Sequence, residues 1–308
     1  MGEKVPEPSF PRKTGDAMTG GLAVSVAMLL TLSVLWGSAY YLVKVALVTL
    51  PPLTLTFGRI AVAAVVLVTV AVARGAAVKG DWRFWGNAMA AAATGMTLPF
   101  TMIALGLQTV DSALAAILIA TVPLFTLPLA HMLTHDERAT ARAGIGVVVG
   151  FIGVVMLFIR ETGGGNTAGG IMLILAASLS YATSALVIKR GNTGNPDGFS
   201  AAMVLCAAAL IAPFALLSDR PWTLTPNLPT ILATLALGVF PTGIATLLLV
   251  RLIRRAGATF ASLTNYLIPV VGVTLGIVFL DEKLPATAIF GTSLIAIGIY
   301  LSRTKARK

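Results

Sequence analysis

Two short stretches hold the residues with the most chemical capacity. In SVLWGSAYYLVK (33–44), Ser33, Gly37, Tyr40 and Lys44 are spaced 4, 3 and 4 apart, which places them along one helix face. Trp36 borders that stripe and Tyr41 lies just beyond it. In SLSYATSALVIK (178–189), Ser178, Tyr181, Thr183 and Ser184 form a counterpart. Hydroxyls and aromatic tips are costly against lipid tails, so both faces are expected to point inward. The chemistry available there is hydrogen bonding and stacking. A solute-facing wall and plain helix–helix packing use the same residue types, and both readings stand.

Four apolar runs pair hydroxyls with internal prolines: Thr97, Pro99 and Thr101; Thr121, Pro123 and Pro128; Pro241, Thr242 and Thr246; Thr264, Asn265, Tyr266 and Pro269. An internal proline removes one amide donor and strips a carbonyl of its usual partner. Pro99, Pro123, Pro241 and Pro269 are therefore expected to bend helices for gating or cavity shape; a static kink is the alternative. The expected solute-binding set is Trp36, Tyr40, Tyr41, Thr97, Tyr181, Ser184, Thr246, Asn265 and Tyr266, the last two foremost. Arg59 lies inside an apolar run, where a charge is costly and usually functional. It is a candidate contact for a carboxylate or phosphate; snorkelling or bonds to backbone carbonyls compete with that reading. Lys44, near a helix end, reads as a snorkelling anchor.

Absences narrow the field. No Asp or Glu falls inside an apolar run, so there is no buried counter-charge for a lipophilic cation and no obvious intramembrane proton carrier. No Walker motif, zinc-ligand spacing or Ser/His/Asp arrangement appears, so no catalytic residues, metal or cofactor are expected. Asp136-Glu137 and Asp281-Glu282 read as helix-start residues beside the positive end of a macrodipole. A lone His131 carries no argument, and Cys206 reads as a small buried or lipid-facing residue.

The elements that must position these groups are membrane spans. The 308 residues are 57% hydrophobic and 11% charged, against about 25% charged in soluble domains. A soluble core of this size would run out of polar cover. Ten apolar runs approach spanning length: 21–44, 53–73, 86–106, 112–133, 143–160, 169–188, 199–217, 230–251, 257–280 and 285–302. Lys and Arg gather in alternate connectors, and the excess lies on the side of both termini, which the positive-inside rule makes cytoplasmic. The net charge of +10 is thus spread between spans, unlike a nucleic-acid patch. The polar first twenty residues predict an uncleaved first span.

The chain also repeats itself. Ser33, Trp36, Ser38 and Lys44 match Ser178, Tyr181, Thr183 and Lys189 at an offset of 145, and Asp136-Glu137, Gly146 and Gly153 match Asp281-Glu282, Gly291 and Gly298 at the same offset. Five spans is an odd number, so the second copy enters the membrane inverted, which supports alternating access. A duplicated scaffold without flux is the competing reading. The expected organisation is a polar tail (1–20), a first five-helix repeat (21–160), a second, inverted one (161–302) and a basic tail (303–308).

WGSAYYLVKVAL, Arg59, HDERATARAGIGVVVGFIGVVML and LDEKLPATAIFGTSLIAIGIYL resemble the drug/metabolite transporter superfamily, in particular its EamA-type ten-helix branch, which includes bacterial amino-acid exporters. The resemblance spans all ten runs. It implies an all-α integral membrane fold of two inverted five-helix repeats around a central cavity lined by helices 1, 3, 4, 6, 8 and 9, and efflux more often than uptake. The expected function is export of small polar or zwitterionic metabolites, amino acids and aromatic ones among them, from an inner-membrane protein that is not an enzyme. The partners are a small-molecule substrate and the lipid bilayer, without nucleic acid, and a monomer suffices. Uptake or exchange of a sugar or nucleotide-linked metabolite is the alternative within this class. An intramembrane enzyme on lipids would need a polar catalytic cluster; a non-transporting scaffold predicts no flux.

Overall fold

The computed structural model describes residues 15–76, 78–133, 140–162, 166–190, 194–256, 258–261, 263–283 and 286–302. Among these there is helix and no strand. In chain order the helices are α1 (Gly15–Ala46), α2 (Pro52–Ala73), α3 (Trp82–Gly106), α4 (Ser112–Met132), α5 (Ala141–Glu161), α6 (Ala168–Arg190), α7 (Pro196–Phe214), α8 (228–256), α9 (Thr264–Leu280) and α10 (Ala286–Ser302). The first eight contain stretches long and apolar enough to cross a membrane; α9 and α10 are apolar but shorter. At 17 residues, α9 rises only about 25 Å, short of the ~30 Å hydrocarbon core. A four-residue helix, Ala258–Ala261, precedes it.

Large apolar side chains stand exposed around the bundle, among them Val65, Val72, Ile159, Leu217, Val278 and Ile289. Such a surface needs lipid, and helices are the spanning element that satisfies its own backbone there. Helix starts follow local chemistry. Pro52 opens α2, Asp81 accepts the Phe84 amide at the head of α3, Thr140 accepts that of Ala143, and Asn195 and Asn227 cap α7 and α8. The backbone is already helical at Gly15, ahead of the expected start at residue 21.

Most of the extensive helix pairings repeat under exchange of each helix with the one five further on. The α1–α9, α1–α8 and α2–α8 contacts have the counterparts α6–α4, α6–α3 and α7–α3, while α2–α7, α4–α9 and α5–α10 map onto themselves. Small residues let the paired backbones approach. A Cβ at Gly153 would meet the Gly291 carbonyl, one at Gly298 would meet Gly150, and one at Gly272 would meet Ala116.

Three departures from regular helix matter for function. α3 carries a π-helical stretch, Ala93–Thr97, just before Pro99; α8 carries another, Gly238–Ile244, around Pro241. α4 is interrupted at Ala120–Thr121 just before Pro123. There the Leu118 carbonyl accepts hydroxyls from Thr121 and, across helices, from Ser178. Pro269 lies within α9.

Candidate functional site

A polar cluster sits among helices from both halves. Arg59, on the third turn of α2, is 5% exposed, about 10 Å along the helix from its start. Its Nη2 donates to Thr242 Oγ1 at 3.0 Å, and its guanidinium stacks 3.8 Å from the Phe100 ring centroid. Thr242 Oγ1 in turn donates to the Leu237 carbonyl at 2.8 Å. Leu237 lies four residues before Pro241, so its carbonyl lost its amide partner to that proline, and the threonine hydroxyl replaces it. The neighbouring Pro241 carbonyl accepts Trp36 Nε1 at 3.1 Å. Tyr181 packs edge-on against Phe100, 6.4 Å between centroids. Tyr40 is buried, and both tyrosines lie within electrostatic range of Arg59. The structure therefore brings together Trp36, Tyr40, Arg59, Tyr181 and Pro241. Sequence reading left Phe100 and Thr242 out of the binding set. Their signal was adjacency to Pro99 and Pro241: a helix loosened by proline re-aims the residue that follows.

Asn265, Tyr266 and Pro269 line a cavity of about 360 Å³ with Ile117 and Ala120 of α4 and residues of α10. That volume falls within the ~300–1,000 Å³ of small-ligand pockets. Its wall includes α10, which the expected set of cavity helices omits. At its rim Val270 and Ile289 are each 61% exposed.

The other expected residues make contacts of a different kind. Tyr41 turns about 100° from Tyr40 around the helix and stacks on Phe279 at 5.6 Å. Thr97 Oγ1 donates to the Ala207 carbonyl and Ser184 Oγ to that of Ala91, contacts that join helices. Thr246 bonds back to the Thr242 carbonyl and Ser33 to that of Leu29, each within its own helix. Lys44 is half-buried at the last turn of α1. Cys206 is buried.

One end of the bundle is laced by acidic groups. Here the reading of Asp281-Glu282 as the start of the last helix needs correction. Glu282 instead caps α4: Oε1 accepts the Ser112 amide at 2.7 Å, and Oε2 accepts the Ala113 amide at 2.8 Å and the Ser112 hydroxyl at 3.0 Å. Asp281 ends α9 in the left-handed region (φ 54°), and this turn swings Glu282 across to α4. Asp219 caps α2 likewise, accepting the Thr54 amide and hydroxyl. Asp111 pairs with Asn166, Thr109 with Thr167 and Thr49 with Thr230. Asp136-Glu137 lie outside the described residues. At the opposite end Arg74 pairs with Asp197 at 3.0 Å.

Glu161, 7% exposed, belongs to the laced end, and its Oε1 has no partner there. Burial first, then the Asp111 carboxylate, holds its carboxyl above the usual carboxylate range. A raised folded-state value in an acid means that ionisation opposes folding: Glu161 costs no stability below pH 4.5, and its cost grows as pH climbs toward the folded value. Glu161→Gln should therefore raise the melting temperature at pH 7.5 by roughly 1–3 °C and leave it unchanged at pH 4. Equal shifts at both pH values would contradict this.

The model of the EamA-like transporter family matches the chain twice, over residues 23–159 and 168–304. The chain is 28% identical over 294 residues to the uncharacterized inner membrane transporter YedA of Escherichia coli (strain K12), covering 90% of this chain and 92% of the relative. It is 27% identical over 286 residues to protein PagO of Salmonella typhimurium (91% and 93% covered) and 25% identical over 287 residues to the uncharacterized transporter YvbV of Bacillus subtilis (91% and 92%). A solved crystal structure, 21% identical, shares the fold with a TM-score of 0.66 over 91% of this chain and 96% of its own. With apolar helices all round and two family domains end to end, this multi-pass membrane protein belongs to the EamA-like transporter family.

Proposed function

We propose that this transporter exports small polar or zwitterionic metabolites, amino acids with aromatic ones among them, across the inner membrane by alternating access and without a chemical step. The observation that carries the reading is the cluster of Trp36, Tyr40, Arg59, Phe100, Tyr181 and Thr242, assembled from both halves at membrane depth. Polar groups there are expensive, and a solute path is the common reason to keep them. They lie beside two π-helical stretches, segments associated with functional sites and easily re-registered. Asn265 and Tyr266, with their cavity, offer a second set of solute contacts.

On this reading residues 21–160 and 161–302 are inverted repeats, both termini are cytoplasmic and one chain suffices. The helix pairings that recur when the halves exchange roles support the two-state mechanism that inversion allows. The laced end would then be the outer one, shut in this conformation. In proteoliposomes holding the purified full chain, labelled phenylalanine should show counterflow, lowered about ten-fold or more by Asn265→Ala with Tyr266→Ala if each contributes a typical ~1 kcal/mol contact. Reporters at Met1 and Lys308 should read the same compartment. No counterflow with any amino acid would remove the substrate assignment, and reporters on opposite sides would remove the topology.

A further inference from the structure

We propose that Arg59 is the anchor for a carboxylate of the transported solute, so that the protein selects small organic acids and amino acids over their neutral amides. The inference rests on the transport reading above and adds the solute's obligatory anionic group. A guanidinium has five N–H donors and is charged at every accessible pH. In Arg59 one of the five is used, by Thr242, and Nε is buried with no acceptor. No carboxylate lies within ion-pair distance of it among the described residues. An isolated charge so deeply buried is costly unless something of opposite sign visits it.

The geometry around the guanidinium favours an in-plane anion. Phe100 covers its flat face at 3.8 Å, leaving the edge that carries the donors as the surface for recognition. That edge matches a carboxylate with two parallel hydrogen bonds. Thr242 does not neutralise the charge: its hydroxyl is neutral, accepting from Nη2 while donating to the Leu237 carbonyl. Tyr40 on α1 and Tyr181 on α6, the latter the repeat counterpart of Trp36, bring two hydroxyls into electrostatic range, each able to donate to a bound anion. Phe100 and Thr242 both follow prolines in helices with π-helical stretches, so the two groups that hold Arg59 move with α3 and α8. Binding an anion would thereby be coupled to the elements best placed to rearrange.

The test compares three probes as competitors of labelled phenylalanine counterflow: phenylalanine, phenylalaninamide and 3-phenylpropionate. With the wild-type chain, the two carboxylates should compete, and the amide should be weaker by about ten-fold or more, since it leaves the fork unpaired. Arg59→Gln should abolish the discrimination between acid and amide, and Arg59→Lys should keep it in weakened form. Equal competition by acid and amide in the wild type overturns the proposal, as does a Gln variant that still prefers acids. If Arg59→Gln does not fold, the wild-type comparison alone decides. If phenylalanine is not carried at all, thermal stabilisation of the purified protein by a panel of organic acids and their amides reads the anchor separately. Stabilisation by acids alone supports it, and stabilisation by neither or by both equally removes it.

Discussion

Glu282→Ala is expected to unlock the laced end of the bundle. Its carboxylate receives two backbone amides and a hydroxyl at the positive end of α4, bonds that are charge-assisted and aligned with the helix dipole. Losing such a cap is worth about 2–3 kcal/mol, above an ordinary neutral cap. An equilibrium between closed and open forms would move by roughly 30–150-fold. Hydrogen exchange at the Ser112 and Ala113 amides should accelerate by the same factor, read on the peptide 108–118, while exchange in α7 stays as it was. Glu282→Gln should fall between, since it can still accept but carries no charge. Gly276→Val should reproduce the alanine variant, because a Cβ there meets Glu282 Oε2. Unchanged protection of 108–118 would show that α4 does not depend on this contact. If the laced end is a gate, counterflow should fall in step with protection.

Thr242→Val is expected to have the largest effect on stability of any isosteric change in the site. The hydroxyl serves two buried groups, the guanidinium of Arg59 and the carbonyl that Pro241 orphaned at Leu237. Valine keeps the shape and satisfies neither. A buried acceptor left unpaired costs about 1–3 kcal/mol, and a charged donor more, which together give roughly 3–5 kcal/mol. The melting temperature should drop by roughly 6–15 °C. Thr242→Ser keeps both bonds and should lose only a methyl contact, about 1 kcal/mol. Valine and serine variants that melt together would mean that the hydroxyl carries nothing. The comparison isolates the hydrogen bonds from the packing, because the two substitutions remove opposite halves of the same side chain.

Much of the architecture was legible from local chemistry. Lipid demands long apolar stretches, so α1 to α8 appear in the sequence nearly as they fold, and prolines mark the places where α3, α4 and α8 depart from regular helix. The duplication was visible as a constant offset, and the family match falls in the same two halves. Boundaries were less legible where caps decide them: α3 begins at Trp82 because Asp81 accepts the Phe84 amide, ahead of the apolar run.

The site divides the same way. Trp36, Tyr40, Tyr181, Pro241 and Arg59 could be picked out because aromatic hydroxyls, a proline and a buried cation are expensive in lipid wherever they point. Periodicity could not say that Tyr41 meets Phe279 while Tyr40 is buried within electrostatic range of Arg59. Phe100 was one apolar residue in an apolar run until the guanidinium was found on its face.

The sequence by itself determined that this is a duplicated, multi-span membrane protein with costly polar residues in four of its proline-bearing spans, because those facts follow from residue type and spacing along one chain. Only the tertiary structure decided which of these groups meet. Glu282 and Ser112 are 170 residues apart and Arg59 and Thr242 are 183 apart. A hydrogen bond depends on where two helices cross and how each is rotated, and the apolar faces that set those crossings are too alike in sequence to specify the partner.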